Sequence, residues 1–282
     1  MVSDLVVVPV LAATLGVVLL YTGWKRRRIH GQLSDVDPTP IRELATPGVV
    51  EVEGTATPRD HPFVAPITGR DAVLAAWKVE EWDERGDTST WREVARGIEA
   101  PAFDVEDETG TLAVEAVSKR NTAGKWTQTT GVSAADGVRI EDVLAEFEAF
   151  PVEAEFDPDE ELPDGIRRLH EDHGLYEDTG SITNAVDVGA KHGRRRYSEQ
   201  VVAPGDDVYL HGRIEASDGA SERFRPDEAH LTEPADGLLV VSDQDEASLE
   251  AEFAGSARVR IVAGVVATVA GVAGVAYMLG LL

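Results

Sequence analysis

Residues 103–117 read FDVEDETGTLAVEAV, and this stretch gives the clearest indication of the fold. Apolar residues alternate with charged or small ones on both sides of the turn sequence Asp107-Glu108-Thr109-Gly110. Two alternating runs around a glycine-containing turn predict a β-hairpin. The apolar members of the two runs are Phe103, Val105, Leu112, Val114 and Val117.

Similar alternation recurs on both sides of this hairpin, and it predicts a β-rich domain. Further strands are predicted at Val49–Thr55, Val73–Trp82, Trp91–Ile98, Tyr197–Val202, Val208–Ile214 and Leu238–Val241. One helix is predicted with Pro163 as its first residue and Gly174 as its stop, and Asp243 with Glu246 would cap a second, Glu246–Phe253. The polar residues 119–137 are predicted to form a loop or a long hairpin tip. About eight strands with one or two helices favour a β-barrel-like fold or a curled antiparallel sheet of the α+β class, because closure hides strand edges.

The N-terminal region is predicted to be a transmembrane helix. Leu5–Trp24 carries no charge, and about 20 residues at 1.5 Å each cross a hydrocarbon core of about 30 Å. A signal peptide is the alternative, but it would carry its cations before the apolar run and a small-residue cleavage site after it. Here Asp4 precedes the run, so the pattern favours an uncleaved anchor. The cations follow the run, as Lys25, Arg26, Arg27 and Arg28.

The C-terminal region predicts a second transmembrane helix, Ile261–Leu282, which follows Arg258 and Arg260. Cations therefore flank the inner end of both runs, where they would face lipid headgroups. By the positive-inside rule, the middle of the chain is cytoplasmic and the protein is a multi-pass protein of the cell membrane. The predicted organisation is a span at 5–24, a juxtamembrane basic segment and linker at 25–47, the β-rich domain at 48–245, a connecting helix at 246–260 and a span at 261–282.

The second apolar run contains a ridge of small residues. Ala263, Ala267 and Gly271 are spaced at i, i+4 and i+8, and Ala270 and Gly274 lie beside them. Small ridges let helices approach closely in lipid. The partner would be the first helix or, in a homo-oligomer, a second copy of the chain.

Composition excludes several classes of function. The 282 residues contain 52 Asp and Glu against 26 Lys and Arg, giving a formal net charge of −26. Such repulsion disfavours a compact fold unless salt near molar concentration shortens the Debye length to about 3 Å, so we expect a halophilic protein with an acidic surface. The charge also argues against nucleic acid as a partner. The absence of Cys excludes thiolate zinc sites, cysteine nucleophiles and disulfides within the sequence.

Three local clusters suggest chemistry, but none has the spacing of a known site. The acidic cluster Asp104, Glu106, Asp107 and Glu108 is either a cation-binding loop or a solvated hairpin, and it lacks the EF-hand arrangement. His170 and His173 are spaced at i, i+3, whereas a zincin needs i, i+4 and a third ligand. Arg194-Arg195-Arg196 would contact lipid headgroups or pair with acidic neighbours. The sequence therefore predicts no catalytic residue, no metal site and no cofactor.

Several short motifs, together with the order of the elements, resemble a known family. They are Gly54-Thr55, Pro66-Ile67-Thr68-Gly69, Phe103-Asp104-Val105 with Asp107–Gly110, and Tyr209-Leu210-His211-Gly212. This pattern resembles the GIDE domain of the MULAN-type membrane ubiquitin ligases. The resemblance implies two membrane spans and a cytoplasmic domain that recognises partner proteins. In that family a RING finger with two zincs recruits the conjugating enzyme, and no residue of this cysteine-free sequence matches it. At the motif positions Gly54, Pro66, Gly69, Phe103, Asp104, Asp107, Gly110 and Gly212 we expect structural roles.

Three functional hypotheses follow. The first is a non-enzymatic, membrane-tethered recognition or adaptor domain whose partners are the lipid bilayer and another protein. The second, which the resemblance alone implies, is a component of a ubiquitin-type protein modification system that resembles a ubiquitin ligase. The third is a barrel-type module that binds oligosaccharide or nucleic acid, for which a groove lined by Trp77, Trp82, Trp91 or Trp126 would be required.

Overall fold

The computed structural model describes residues 2–33, 38–83, 90–122, 137–175, 193–217, 222–235, 237–244 and 246–278, with the backbone alone described at residues 2–7, 25–33, 121–122 and 246–258. The helices are α1 (Val2–Leu33), α2 (Asp164–His173) and α3 (Glu246–Met278), and 3₁₀ helices lie at Ile41–Glu43 and Pro226–Glu228. The strands are β1 (Gly48–Pro58), β2 (Phe63–Val64), β3 (Asp71–Ala72), β4 (Leu74–Asp83), β5 (Thr90–Ala100), β6 (Phe103–Asp107), β7 (Gly110–Val114), β8 (Val117–Thr122), β9 (Gly137–Ile140), β10 (Val143–Glu146), β11 (Val152–Phe156), β12 (Arg195–Val202), β13 (Asp207–Ala216), β14 (Ala229–Thr232) and β15 (Leu239–Ser242).

The helices α1 and α3 form one unit and pack against each other in antiparallel directions. Gly264 of α3 lies beside Leu20 of α1, whereas Gly271 lies beside Pro9, nearer the start of α1. A Cβ on Gly264 would stand 2.8 Å from the Leu20 nitrogen, and one on Gly271 would stand 2.6 Å from the Pro9 carbonyl oxygen. The glycines therefore let the two backbones approach closely.

The helix contact alternates spacings of four and three residues. On α3 it involves Gly264, Thr268 and Gly271, and on α1 it involves Pro9, Ala13, Gly16 and Leu20. This spacing is typical of helix pairs that cross at a shallow angle. The predicted ridge is therefore only partly correct, because Gly271 and Gly274 lie at the contact whereas Ala263 and Ala270 are exposed.

Among the described helices, one is long and apolar enough to cross a membrane. It is Val259–Met278 within α3, which has 20 residues, a mean hydropathy of 2.1 and only 11% of its most apolar part buried. In α1 the apolar stretch with described side chains, Val8–Trp24, is shorter. The N-terminal transmembrane span, in α1, thus stays a prediction.

Five strands of the second unit, Pro38–Asp245, close into a barrel. β1 pairs with β6, β6 with β7, β7 with β14, β14 with β13, and β13 again with β1. All these pairs are antiparallel except β7–β14. Inward-facing side chains such as Val52, Val105, Leu112 and Leu210 are fully buried, so the barrel interior is a packed core. The predicted β-rich, barrel-like fold is confirmed.

A second sheet lies beside the barrel, in the order β11-β12-β4-β5-β8. One face supplies Leu74, Ala76 and Ile98 to the same core as the barrel strands. The opposite face carries Trp77 and Tyr197, which α2 covers. Successive side chains of β4 therefore pack on opposite sides of the sheet, in the barrel core and beneath α2, because each strand turns successive side chains to opposite faces.

Several predicted elements agree with the structure. The hairpin is confirmed, with Asp107 opposite Gly110, and the strands predicted at Val73–Trp82 and Trp91–Ile98 are present as β4 and β5, which pair with each other. The predicted helix is α2, although Pro163 is its N-cap and Asp164 its first residue. It ends at Gly174, whose φ of 62° is the left-handed conformation that stops helices. Of the predicted loop at 119–137, residues up to 122 extend β8 and residue 137 begins β9, while 123–136 lie outside the described residues.

Two predicted boundaries are wrong. The supposed linker at 25–47 is divided, because α1 continues to Leu33 and residues from Pro38 belong to the barrel unit. Ile41 is fully buried in the barrel core, so this proline-rich segment packs as part of the domain. The connecting helix at 246–260 and the span after it form the single helix α3. The Asp243 carboxylate, which was predicted to cap this helix, accepts a hydrogen bond from the Glu148 nitrogen at 2.9 Å.

Candidate functional site

An open groove lies outside the barrel, where β1, the β6–β7 turn and the start of β13 meet. Its volume of about 720 Å³ falls in the range of ligand sites. The lining side chains include Glu53, Thr55, Glu106, Asp207, Tyr209 and Asp243. Burial raises the pKa of Asp243 above its ordinary value, against the opposing hydrogen bond from Glu148.

A row of buried polar residues continues from this groove across the outer side of the sheet. Tyr209 is opposite Glu53 on β1 and opposite Ser242 on β15, and the next pair along β1 and β13 is Glu51 with His211. All except Glu53 are buried. Burying polar groups costs free energy unless they are paired, and here His211 Nδ1 lies 2.8 Å from the Leu238 carbonyl oxygen while Ser242 Oγ accepts a hydrogen bond from the Gln244 nitrogen at 3.0 Å.

The acidic turn beside the groove is held by its own carboxylate. Asp107 Oδ1 accepts hydrogen bonds from the Thr109 and Gly110 nitrogens at 2.6 and 2.8 Å. Its Oδ2 accepts one at 2.8 Å from the nitrogen of Ile41, the residue that enters the barrel core. Partial burial disfavours the ionised form, but these hydrogen bonds outweigh it and keep the pKa of Asp107 below its ordinary value. Asp107 thus fastens the turn and the segment before β1.

The other motif positions on the barrel also have structural surroundings. A Cβ on Gly54 would stand 2.6 Å from the Glu106 carbonyl oxygen, so glycine allows β1 to cross β6 closely. Gly212 is similarly confined beside Leu239. Phe103 lies in the core, and Asp104 pairs with Arg59 at 2.8 Å.

The motif Pro66–Gly69 forms a turn around a buried carboxylate. Glu199 Oε2 accepts hydrogen bonds from the Thr68 nitrogen and hydroxyl, each at 2.6 Å, and Oε1 accepts one from the Ile67 nitrogen. Gly69 has a φ of 69°, which favours glycine. Burial raises the pKa of Glu199, although the hydrogen bonds oppose this. This carboxylate therefore fixes the turn to β12.

A second polar cluster lies beneath α2. His170 Nε2 is 2.9 Å from the Tyr197 hydroxyl, and Arg195 approaches His170 Nδ1 at 3.4 Å. Arg195 donates two hydrogen bonds to Glu81 Oε2, at 3.0 and 3.1 Å. Burial and then the charge of Arg195 lower the pKa of His170 to about 4. The imidazole is therefore neutral at pH 7.

The two histidines of α2 do not share a site. His173 contacts the Trp77 ring, with centroids 4.7 Å apart, and lies 3.7 Å from Glu99. His170 instead faces Tyr197. Within the part of the chain that the structure describes, no group of three His, Asp or Glu side chains is placed to hold a metal ion.

The triple arginine at the start of β12 pairs within the domain, as one of its two interpretations predicted. Arg194 binds Glu155 at 2.6 Å, Arg195 binds Glu81 at 3.0 Å, and Arg196 binds Glu80 at 2.7 Å. These arginines are therefore engaged in cross-strand ion pairs.

Of the three described tryptophans that were predicted to line a groove, Trp77 is too buried to do so. Trp77 is fully buried, whereas Trp82 and Trp91 pack edge to face with centroids 5.2 Å apart. Arg196 covers the Trp91 ring at 4.6 Å. Trp126 lies outside the described residues. The described tryptophans thus do not supply the shared groove that an oligosaccharide-binding face would require.

The predicted lipid-facing cations are described only in part. The side chains of Lys25, Arg26, Arg27, Arg28 and Arg258 lie outside the described residues, although their backbone is helical. Arg260 is partly exposed at the start of the apolar stretch of α3. The headgroup-facing role of these cations stays a prediction.

Sequence reasoning missed Glu81, Glu199 and Tyr197. Glu81 and Glu199 look like ordinary members of an acidic chain, and their partners are far away in sequence. A signal was present in the alternation, because both glutamates occupy the same strand face as Trp77 or Tyr197. Charged residues at inward positions indicate buried ion pairs or hydrogen bonds. No protein-family model, curated protein or solved structure matches this chain.

Proposed function

We propose that the chain is a membrane-tethered recognition domain that binds a protein partner in the groove between β1, the β6–β7 turn and β13. The groove itself carries this proposal, because its 720 Å³ accommodate several side chains. The barrel interior is filled by apolar residues and leaves no such space. This strand order is that of OB-type barrels, which bind ligands on outer faces and loops.

The chemistry of the groove indicates what the partner presents. Carboxylates of Glu53, Glu106, Asp207 and Asp243 line it, and ionised carboxylates only accept hydrogen bonds. A partner would therefore contribute donors, such as Arg, Lys or backbone N–H groups. Phosphate-bearing nucleic acid would be repelled.

Membrane tethering is supported by the surfaces that the helix pair leaves open. Val262, Val266 and Val269 of α3 are each 63% exposed, which water would disfavour and lipid tails would not. Thr14 is exposed on α1, yet its hydroxyl donates to the Val10 carbonyl, as hydrocarbon requires of a polar group.

The antiparallel contact between the helices supports a membrane span in α1 as well as in α3. From Gly264 to Gly271, α3 is packed against α1, and α1 continues as a helix towards its start at Val2. A helix so closely packed would cross the bilayer with its partner. Cations at the inner ends of both helices support a cytoplasmic barrel in a multi-pass membrane protein.

Crosslinking in native membranes tests the proposed function. The full-length chain would be crosslinked at the salt concentration of the cell, extracted in detergent and analysed by mass spectrometry. Glu108→Arg, in the groove, should abolish the crosslinked partner, whereas Glu171→Arg, on the exposed side of α2, should retain it. Equal partner yields from both variants, or no partner from the wild type, would contradict the proposal.

We also propose the relation to GIDE domains, with the barrel as the shared platform. Its support is that Gly54, Asp107 and Gly69 of the shared motifs hold turns and close strand contacts. The related proposal of a role in ubiquitin-type modification predicts an altered conjugate pattern when the gene is deleted. An unchanged pattern would leave the recognition function without that role.

A further inference from the structure

The helix α2 is fastened to the second sheet by few groups. Ile166 and Leu169 are the buried apolar residues of its ten, and they pack with Trp77 and Tyr197. The other side chains of α2 that are buried against the sheet are those of His170 and of His173, whose ring contacts Trp77. A helix this short has little stability of its own, so these contacts determine whether it stays docked.

His170 occupies a position that suits only the neutral imidazole. Arg195 donates towards Nδ1 of His170 at 3.4 Å, so Nδ1 must be the unprotonated ring nitrogen. Nε2 therefore carries the hydrogen and donates it to the Tyr197 oxygen at 2.9 Å. Protonation of Nδ1 would remove the acceptor and place a second positive charge against Arg195. The charge of Arg195 is partly balanced by Glu81.

The other charged groups around His170 do not reverse this effect. Arg92 contacts Glu81 at 3.6 Å and so adds positive charge to the same cluster. Asp157 and Glu160 line the recess beside His170, and Asp157 is 3.8 Å from Arg194. On α2 itself, His173 faces Glu99, and Asp164 pairs with Arg167. The dipole at the last turn of the helix favours a protonated His170, but burial outweighs it.

We propose that α2 is an acid-released cover over the Trp77–Tyr197 face of the second sheet, with His170 as the group whose protonation undocks it. This inference concerns a different part of the domain from the groove and does not depend on the proposed function. Because the docked state lowers the pKa of His170 from 6.5 to about 4, the ratio of undocked to docked helix should rise by up to tenfold per pH unit across that interval. The whole change would be roughly 300-fold.

Thiol labelling in the cysteine-free chain measures this undocking. Leu169→Cys places a thiol on the buried side of α2, and Glu171→Cys places one on its exposed side as the reference for intrinsic reactivity. The full-length protein in nanodiscs would be labelled with dithiodipyridine, which reacts in acid, between pH 7 and pH 4. We expect the ratio of the two labelling rates to rise by at least tenfold as the pH falls.

Two histidine variants test whether His170 causes the pH dependence of the labelling-rate ratio. With His170→Gln the rate ratio should become independent of pH, whereas with His173→Gln it should change as in the wild type. A pH-independent ratio in the wild type, or the same pH dependence in His170→Gln, would overturn the proposal. Because His170→Gln could undock α2 already at pH 7, NMR titration of the wild-type imidazole gives a second test. A His170 pKa at or above 6.5 would overturn the proposal, and one well below it supports it.

Discussion

Gly97 on β5 should be intolerant of even one added methyl group. A Cβ there would stand 2.6 Å from Nε1 of Trp77, on the neighbouring strand β4, and closer still to the ring carbons. The indole has little freedom to move, because it is fully buried and packs against His173 of α2. Overpacking costs about 1–3 kcal/mol, and the stiffer unfolded chain returns about 0.4–1 kcal/mol. Gly97→Ala should therefore destabilise the domain by about 1–2 kcal/mol.

A matched control separates this clash from the general effect of replacing a strand glycine. At Gly48 on β1 a Cβ would meet no atom within 4 Å, so Gly48→Ala should be neutral or slightly stabilising. Urea unfolding at molar salt, followed by tryptophan fluorescence, gives both free energies. Adding Trp77→Phe to Gly97→Ala should recover part of the loss, because the smaller ring leaves room. Equal stability of the two alanine variants would refute the reasoning.

Four further predictions concern the core, the β6–β7 turn, the helix pair and the solvent. Ile41→Ala should lower the free energy of unfolding by about 2–5 kcal/mol in chemical denaturation, since Ile41 is fully buried. Asp107→Asn should destabilise the domain at neutral pH. The pKa of Asp107 is lower in the folded protein than in the unfolded one. The ionised carboxylate therefore stabilises the fold above the unfolded-state pKa, and this contribution is lost as the pH falls through the folded-state pKa. The stabilities of the variant and the wild type should therefore converge in acid. Gly264→Leu should separate α1 from α3 in distance measurements between spin labels, whereas Ala263→Leu, on the exposed side, should not. Dialysis from molar to about 0.1 M salt should unfold the barrel as judged by circular dichroism, because the Debye length grows from about 3 to 10 Å.

Features set by neighbouring residues were predictable from the sequence. The β6–β7 hairpin follows from alternation around a glycine-containing turn, and the ends of α2 follow from Pro163 and Gly174. In each case the decisive interaction lies within one or two turns of chain. Such preferences act before any tertiary contact forms, so a pattern in the sequence is sufficient.

Interactions between distant residues were not predictable in the same way. The turn at Thr68 is fixed by Glu199, 131 positions away, and Arg195 pairs with Glu81 across 114 positions. In a chain with 52 acidic residues, nothing local distinguishes these glutamates from solvated ones. The pairing of β12 with β4 brings Glu81 opposite Arg195, and Glu199 meets Thr68 only in the folded domain.

Two predictions were wrong for the same physical reason. The sequence contains several sets of residues that could pack, and the neighbouring element determines which set does. The small residues of α3 offer several ridges, and the contact with α1 uses the one through Gly264, Thr268 and Gly271. The proline-rich segment before β1 resembles a linker by composition, but it places Ile41 in the core and is held there by Asp107. In both cases the neighbouring element decides which apolar residue is buried.

The distribution of charge limits how the groove can select a partner. The arginines at the start of β12 are engaged with glutamates, and none of the described residues that line the groove is Lys or Arg. We expect the domain, in a chain of net charge −26, to work in concentrated salt, where the Debye length of about 3 Å weakens the attraction of a carboxylate for a distant donor. Long-range attraction therefore contributes little to binding. Recognition must depend on shape and on direct hydrogen bonds, so the loss of a single donor from the partner should weaken binding more than any further rise in salt.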